Sequence, residues 1–370
     1  MKLLAVVIYI SFGVLIPHVS ATCDGCKTTW DASGKACSDD DTYISCLLNA
    51  ASSDAGCDTR HTKMAEAKTH RDGIMPPVAC TALTTTCGCQ VTYHSTDLTS
   101  GACTTATNAI KCLVAATDDG CIGATTTARK DIVAAFNTIV TNTASCELTD
   151  TCKCQTAYAM ADVAAAENKC TKLKEEMNCL MSANGVACDG STKKSAVATA
   201  QDAFIVDAVA NCKTDLTETC KCQIAYAKVD VTAATDKCTG AKDAIKCLVA
   251  ATDVGCTAST ARKDIVAAIN TIVTETASCD LTDTCKCETA YAMADVTAAA
   301  DKCTAAKTAT TCLEAIKSAE EKACDGSTLT KTYLNETITP IVTEACSSGT
   351  VVLLSVWVAA ACVLSGMIQQ

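Results

Sequence analysis

A pair of cysteines one residue apart returns along this chain at a nearly fixed interval, and no other feature constrains the fold as much. The stretch "LTDTCKC" stands at 148–154 and again, unchanged, at 281–287; "LTETCKC" lies between them at 216–222, and "LTTTCGC" precedes them at 83–89. Self-similarity of this kind is the signature of a repeat architecture. When each repeat begins at the close pair, thirty of the 31 cysteines fall into five sets of six. The first set is Cys23, Cys26, Cys37, Cys46, Cys57 and Cys80, in which "CDGC" is a stretched close pair; the second is Cys87, Cys89, Cys103, Cys112, Cys121 and Cys146. The third is Cys152, Cys154, Cys170, Cys179, Cys188 and Cys212, and the fourth Cys220, Cys222, Cys238, Cys247, Cys256 and Cys279. The fifth is Cys285, Cys287, Cys303, Cys312, Cys324 and Cys346.

Residues other than cysteine keep the same register. An aromatic follows the second cysteine by four positions in every repeat (Trp30, Tyr93, Tyr158, Tyr226, Tyr291), and a leucine follows the fourth directly (Leu47, Leu113, Leu180, Leu248, Leu313). Glycine sits beside the fifth cysteine, before it at Gly56, Gly120 and Gly255 and after it at Gly190 and Gly326. The repeats span 22–82, 83–147, 148–215, 216–280 and 281–346, about 65 residues each, near the lower limit for a domain that folds without cross-links. Repeats 2 and 4 share "AIKCLVAATD" and "ARKDIVAA", which suggests duplication of a two-repeat block.

Cysteine chemistry depends on compartment, and both ends of the chain bear on it. Lys2, an apolar run over 3–15 and the small residues Val19 and Ala21 resemble a secretory signal peptide over 1–21, with a mature start at Thr22. An uncleaved anchor is the alternative. At the other end Ser347, Ser348 and Gly349 precede an apolar run over 351–368, with no Lys or Arg after it. That pattern resembles a glycosylphosphatidylinositol (GPI) attachment signal over 347–370, with Ser347 as the anchor site. A single membrane-spanning helix is the alternative, since about 18 apolar residues just cross a bilayer. Either way the repeats face an oxidising compartment, where disulfides persist. Cys362 alone lies in the tail, so the mature count is even.

The pattern predicts a mainly α fold, a tandem array of small disulfide-stapled helical units. Ile265, Val266, Ile269, Ile272 and Val273 form a stripe at helical spacing, with Ser259 or Thr260 placed to cap it. Related stripes run from Ile132 to Val140 and around 204–209, and Pro340 is expected to kink the copy in repeat 5. A second helix is expected through the third and fourth cysteines, ended by the glycine near the fifth. Cys238 and Cys247 are nine positions apart. On a helix that is ~13.5 Å of rise and opposite faces, too far for a bridge. The segment after the close pair, such as "QIAYAKVD", suits a strand or a helical turn.

Two cysteines one residue apart suit a metal-thiolate site, a redox pair or a structural disulfide framework. C-x-C alone is a weak metal signal, and His61, His70 and His94 do not recur in later repeats. Redox catalysis wants C-x-x-C, which four of the five repeats lack, and the compartment also speaks against it. A structural framework is therefore expected, and it suits a mature chain with only nine aromatics to build cores. No nucleophile elbow, phosphate loop or zinc-protease helix occurs, so no catalytic, cofactor or metal residue is assigned and the chain is read as no enzyme. Asp150, Glu218 and Asp283 beside the close pair are read as caps or solvated turns, and the "ARKD" copies as surface salt bridging or a partner contact.

Between 22 and 346, 41 acidic residues against 29 basic ones leave a charge of −12, which gives nucleic acid no electrostatic footprint. The only N-x-[ST] sequon of the mature chain makes Asn335 the expected glycosylation site. The function expected from these features is adhesion, partner binding or protective coating by a GPI-anchored surface protein. Its partner is an extracellular protein or glycan. The alternatives are a carrier for small apolar ligands and an inhibitor or decoy.

Overall fold

A computed structural model of the protein describes residues 22–74, 79–98, 101–121, 127–143, 146–163, 166–207, 212, 216–294, 296–318 and 320–347. The expected signal peptide, nearly all of the expected anchor signal and the end of the 204–209 stripe lie outside them. Each repeat is three helices. Repeat 1 holds α1 (Cys23–Asp31), α2 (Cys37–Asn49) and α3 (Arg60–Gly73), and repeat 2 holds α4 (Thr85–His94), α5 (Ala102–Ala115) and α6 (Arg129–Asn142). Repeat 3 holds α7 (Asp150–Ala159), α8 (Ala166–Ser182) and α9 (Lys194–Asp207). Repeat 4 holds α10 (Glu218–Ala227), α11 (Ala234–Ala250) and α12 (Arg262–Glu275). Repeat 5 holds α13 (Asp283–Met293), α14 (Ala299–Glu314) and α15 (Thr330–Tyr333), the last continuing helically to residue 347. Among the described residues there is no strand, only two isolated bridges, Val186 with Lys193 and Lys322 with Leu329. The ambiguous segment after the close pair is therefore helical.

One pairing scheme holds in all five repeats. The first cysteine bonds the fifth, the second bonds the fourth and the third bonds the sixth, as in Cys220–Cys256, Cys222–Cys247 and Cys238–Cys279. Repeat 3 has the same scheme in Cys152–Cys188, Cys154–Cys179 and Cys170–Cys212. Stretched "CDGC" conforms, with Cys23–Cys57 and Cys26–Cys46. All fifteen bonds lie within repeats, and the third and fourth cysteines, on one helix, never bond each other. Residues i and i+2 of a helix point ~200° apart, so a close pair cannot reach one neighbour twice. One sulfur fastens the first helix to the second, the other fastens it to the loop beyond, and the third bond holds the third helix. First helices of nine to eleven residues would be marginal alone.

The chain divides at 147/148, the boundary of repeats 2 and 3, into two compact units. In the first, a core of Trp30, Tyr43, Ile44, Leu47 and Met64 continues into Cys87 and Val91 of repeat 2. In the second, Leu173, Met177, Leu180 and Ile205 of repeat 3 pack with Ile224 and Ala227 of repeat 4. A further core joins Ile245, Leu248 and Ile265 to Leu281 and Cys285 of repeat 5. Helix α10 rests on α8 and α9, and α13 on α12 and α11. Inside each compact unit the repeats thus stack through shared cores, as solenoid repeats do. The leucine after the fourth cysteine is buried in every repeat.

Three local expectations change. Neither Ser259 nor Thr260 caps α12; its N-cap is Ala261, and the Thr260 hydroxyl pairs with Thr257 instead. Second helices do not run to the glycine. They stop earlier, at Ala50, Ala116 and Ala251 in extended conformation. In repeats 2 and 4 the arginine of "ARKD" takes over at that end, Arg129 and Arg262 donating to the carbonyls of Leu113 and Leu248 at 3.3 and 3.2 Å. Gly120 and Gly255 instead let the loop pass between two side chains. A Cβ at Gly255 would lie 2.7 Å from both Gln223 Oε1 and Ile265 Cδ1. Pro340 does not end the helix of repeat 5, which continues to residue 347; five π-helical residues, Leu334–Ile338, lie just before it. A wider turn accommodates the missing N–H and the ring.

Candidate functional site

The recurring "LTxTC" is a latch. Thr84, Thr149, Thr217 and Thr282 are N-caps whose hydroxyls accept from the N–H of Cys87, Cys152, Cys220 and Cys285 at 3.0–3.1 Å. Each hydroxyl also donates across the repeat, to the carbonyl of Asp119, Val186, Val254 or Lys322 in the fifth-cysteine loop. The second threonine, fully buried as Thr86, Thr151, Thr219 or Thr284, bonds toward the same region. In repeats 2 and 4 a carboxylate completes the latch: Asp118 accepts from the N–H of Thr85 and Thr86, and Asp253 from Glu218 and Thr219, all at 2.8 Å. Asp150, Glu218 and Asp283 occupy the first helical position, where the dipole favours them, and pair with Lys153, Lys221 and Lys286.

The residue after the second cysteine finishes the scaffold. Gln90, Gln155 and Gln223 accept the N–H of the fifth cysteine through Oε1, at 3.1, 2.9 and 2.7 Å. Repeat 5 replaces the amide with Glu288, 3% exposed, which accepts from Cys324 at 3.2 Å. Burial pushes its pKa up to about 7. The close pair and its surroundings are therefore consumed in holding the repeat together. Among the described residues no group of three or more His, Cys, Asp or Glu is placed to hold a metal ion.

What remains open is a groove between the first and second helices, found at equivalent positions in repeats 1, 3 and 5. Its volumes are about 480, 290 and 440 Å³. Cys26, Trp30, Tyr43 and Cys46 line the first; Cys154, Tyr158, Glu176 and Cys179 the second; Cys287, Tyr291, Ala309 and Cys312 the third. The recurring aromatic and the second-to-fourth disulfide are common walls. In repeat 4 the counterparts of Ala294 and Ala305 are Val229 and Gly240. There Val229 lies so close that a Cβ at Gly240 would meet its Cγ1 at 2.5 Å. That valine occupies the space left open in repeat 5.

In the repeat 1 groove Trp30 stacks on Tyr43 at 4.7 Å, with the ammonium groups of Lys35 and Lys27 4.2 and 4.9 Å from its ring. Its indole N–H donates to the buried Asp40 at 2.8 Å, and His70 Nδ1 lies 2.9 Å from the same carboxylate. Asp40 thus fixes the tryptophan from behind. The position three residues before the fourth cysteine lies on the wall of each groove, as Tyr43 in repeat 1, Glu176 in repeat 3 and Ala309 in repeat 5. Repeats 2 and 4 have Ala109 and Ala244 there, and all five residues are buried. Among the described residues, the Tyr43 hydroxyl and both Glu176 oxygens lack hydrogen-bond partners.

The two remaining assigned positions lie apart from the grooves. Asn335 is exposed within the π-helical stretch of repeat 5. Ser347, the last described residue, is exposed beside Cys346, which is bonded to Cys303. Comparison with known protein families, curated proteins and solved structures gives no match. Sequence reading missed the grooves. The residue three places before the fourth cysteine varies visibly but does not mark them, since repeat 5, with a groove, and repeat 4, without one, share alanine there.

Proposed function

We propose that the chain is a non-catalytic protein held on the outer face of the cell membrane by a GPI anchor, where its repeats serve adhesion, partner binding or protection. The observation that carries this reading is the fifteen-bond framework confined to single repeats. Such a density of disulfides marks an extracellular or secreted protein. A stack of similar repeats can present one surface several times, so weak contacts to an extracellular protein or glycan add through avidity. Among the described residues no helix is long and apolar enough to cross a membrane. The apolar tail over 351–368 lies outside them and is read as the part removed on anchoring.

Phosphatidylinositol-specific phospholipase is expected to release the chain from intact cells, with a C-terminus at Ser347 or within two residues of it. Retention on the cell, together with a C-terminal peptide containing Trp357, would establish a spanning helix instead. Proximity labelling on the same cells would identify the partner.

Asn335 is expected to carry the one N-linked glycan, since its sequon is exposed. Treatment with an amidase that cleaves N-glycans should lower the mass of the mature protein and convert Asn335 to aspartate. An unchanged mass would exclude the modification.

A second reading, a carrier of small ligands, is favoured by the grooves of repeats 1 and 5, whose volumes fall in the usual range for ligand sites. Native mass spectrometry of the extracted protein distinguishes it, because a carrier retains stoichiometric ligand.

A further inference from the structure

The residue that opens each third helix makes hydrogen bonds in four repeats and none in the other. These residues are Arg60, Arg129, Lys194, Arg262 and Thr330. The three arginines close the end of the second helix, donating to the carbonyls of Ala50, Leu113 and Leu248. Thr330 bonds the Thr284 hydroxyl at 2.6 Å and the Glu321 carbonyl at 3.1 Å. Lys194 of repeat 3 donates no hydrogen bond among the described residues. Its stem is buried, with 5% of the residue exposed, and its ammonium lies 5.4 Å from the centre of the Tyr226 ring of repeat 4. The Nζ itself is not sealed from solvent. Neighbouring Lys193 is paired with Asp230 at 2.5 Å, whereas the charge that acts on Lys194 is a second cation, Lys237 of α11. Burial first, and then repulsion from Lys237, lower the Lys194 pKa to about 8. At pH 8 about half of such a side chain is free amine, against roughly 0.3% of a lysine at its ordinary 10.5. A desolvated lysine beside another cation is the environment that makes an amine nucleophilic.

We propose that Lys194 is a modification site for carbon dioxide, its amine forming a carbamate for which Lys237 is the counterion. The nitrogen lone pair forms a bond to the carbon of CO2, one C=O pair moves onto oxygen, and a proton leaves the nitrogen for solvent. Amine and CO2 thus give a carbamate anion and a proton, with no oxidant, reductant or further reactant. The site selects among electrophiles by the charge of the product. An aldehyde would lose water to form an imine, which on protonation restores a positive charge beside Lys237. A carbamate instead replaces the repulsion between two ammonium groups with a charge-assisted attraction. CO2 is also small and uncharged, so it can reach an amine whose stem is buried. The proposal is independent of the anchor and of the ligand grooves.

Chemical trapping on the oxidised mature chain tests it. The protein is equilibrated with isotope-labelled bicarbonate at pH 8 and treated with triethyloxonium, which ethylates a carbamate oxygen to a stable ester, and the labelled peptides are mapped by mass spectrometry. The α-amino group of the mature chain, with an ordinary pKa of about 8, also forms a carbamate and is the positive control. The ester is expected on Lys194 at a level at least tenfold above that on any other lysine. Lys194→Arg, which keeps the cation but has no amine to react, should remove that ester and leave the one on the α-amino group. Lys237→Met should lower the occupancy of Lys194 severalfold, since it removes both the repulsion and the counterion. The disulfide map checks that each variant is native, and the position of the ester in the unsubstituted chain decides the matter without them. Ester confined to the α-amino group, ester spread evenly over the lysines, or full occupancy of Lys194 in Lys237→Met would each overturn the proposal.

Discussion

Replacing Glu288 by glutamine is expected to stabilise repeat 5 by about 2 kcal/mol at pH 8 and to have little effect at pH 4. The Glu288 carboxyl titrates near its ordinary 4.5 in the unfolded chain but at about 7 when folded, chiefly because it is buried, with Asp325 adding repulsion and the Cys324 N–H opposing both. Below 4.5 both states are protonated and the side chain costs nothing. Between 4.5 and 7 only the unfolded chain ionises, so stability falls as pH rises. Above 7 the loss is complete. Glu176 acts with the same sign up to about pH 8. Asp189 and Asp230 act oppositely, their hydrogen bonds and ion pairing lowering them to about 2, so their contribution is lost only in stronger acid. Glutamine at 288 keeps the acceptor for Cys324, as in three other repeats, and removes the charge. The wild-type protein, unfolded in urea with its disulfides intact, should therefore be more stable at pH 5 than at pH 8. E288Q should narrow that gap. A lower urea midpoint for E288Q at pH 8, or no difference between the two pH values in the wild type, would contradict the assignment.

The parts of this fold that were legible in the sequence are those fixed by covalent geometry and short-range period. Six cysteines per repeat, with the third and fourth nine positions apart on an expected helix, forbid one pairing. The leucine after the fourth cysteine and the isoleucine stripe of α12 mark buried faces directly. Contacts made across thirty to forty residues were less legible. The threonines of "LTxTC" look like loop residues until Asp118 and Asp253 are placed beside them in space. "ARKD" reads as surface charge until Arg262 meets the end of α11. Gln90, Gln155 and Gln223 recur at one position in plain view, yet a glutamine has no fixed role until its partner, the fifth-cysteine N–H, is known. The grooves depend on the sizes of residues on two helices together, as Val229 and Gly240 show.

Removing the second-to-fourth bond of repeat 4 is expected to loosen its neighbours as well as itself. Cys222 and Cys247 join α10 to α11, and Cys222 is 1% exposed within the core that holds Tyr226, Ile245 and Leu248. Substituting both cysteines by alanine frees a 25-residue separation in the unfolded chain, a loss of about 3 kcal/mol. Repeat stability combines an intrinsic term with interfaces to adjacent repeats. Helix α10 contributes Ile224 and Ala227 to the core of repeat 3, and repeat 4 also covers α13 of repeat 5. Hydrogen exchange should therefore quicken in α10 and α11 and also in α8 and α13. The same change at Cys287 and Cys312 in repeat 5 should spread only backwards, to α12. If exchange in the repeat 4 variant rises nowhere outside α10–α12, the repeats are independent beads and the shared cores carry no coupling. If it rises equally in α8 and α13, the cores between neighbouring repeats transmit stability in both directions.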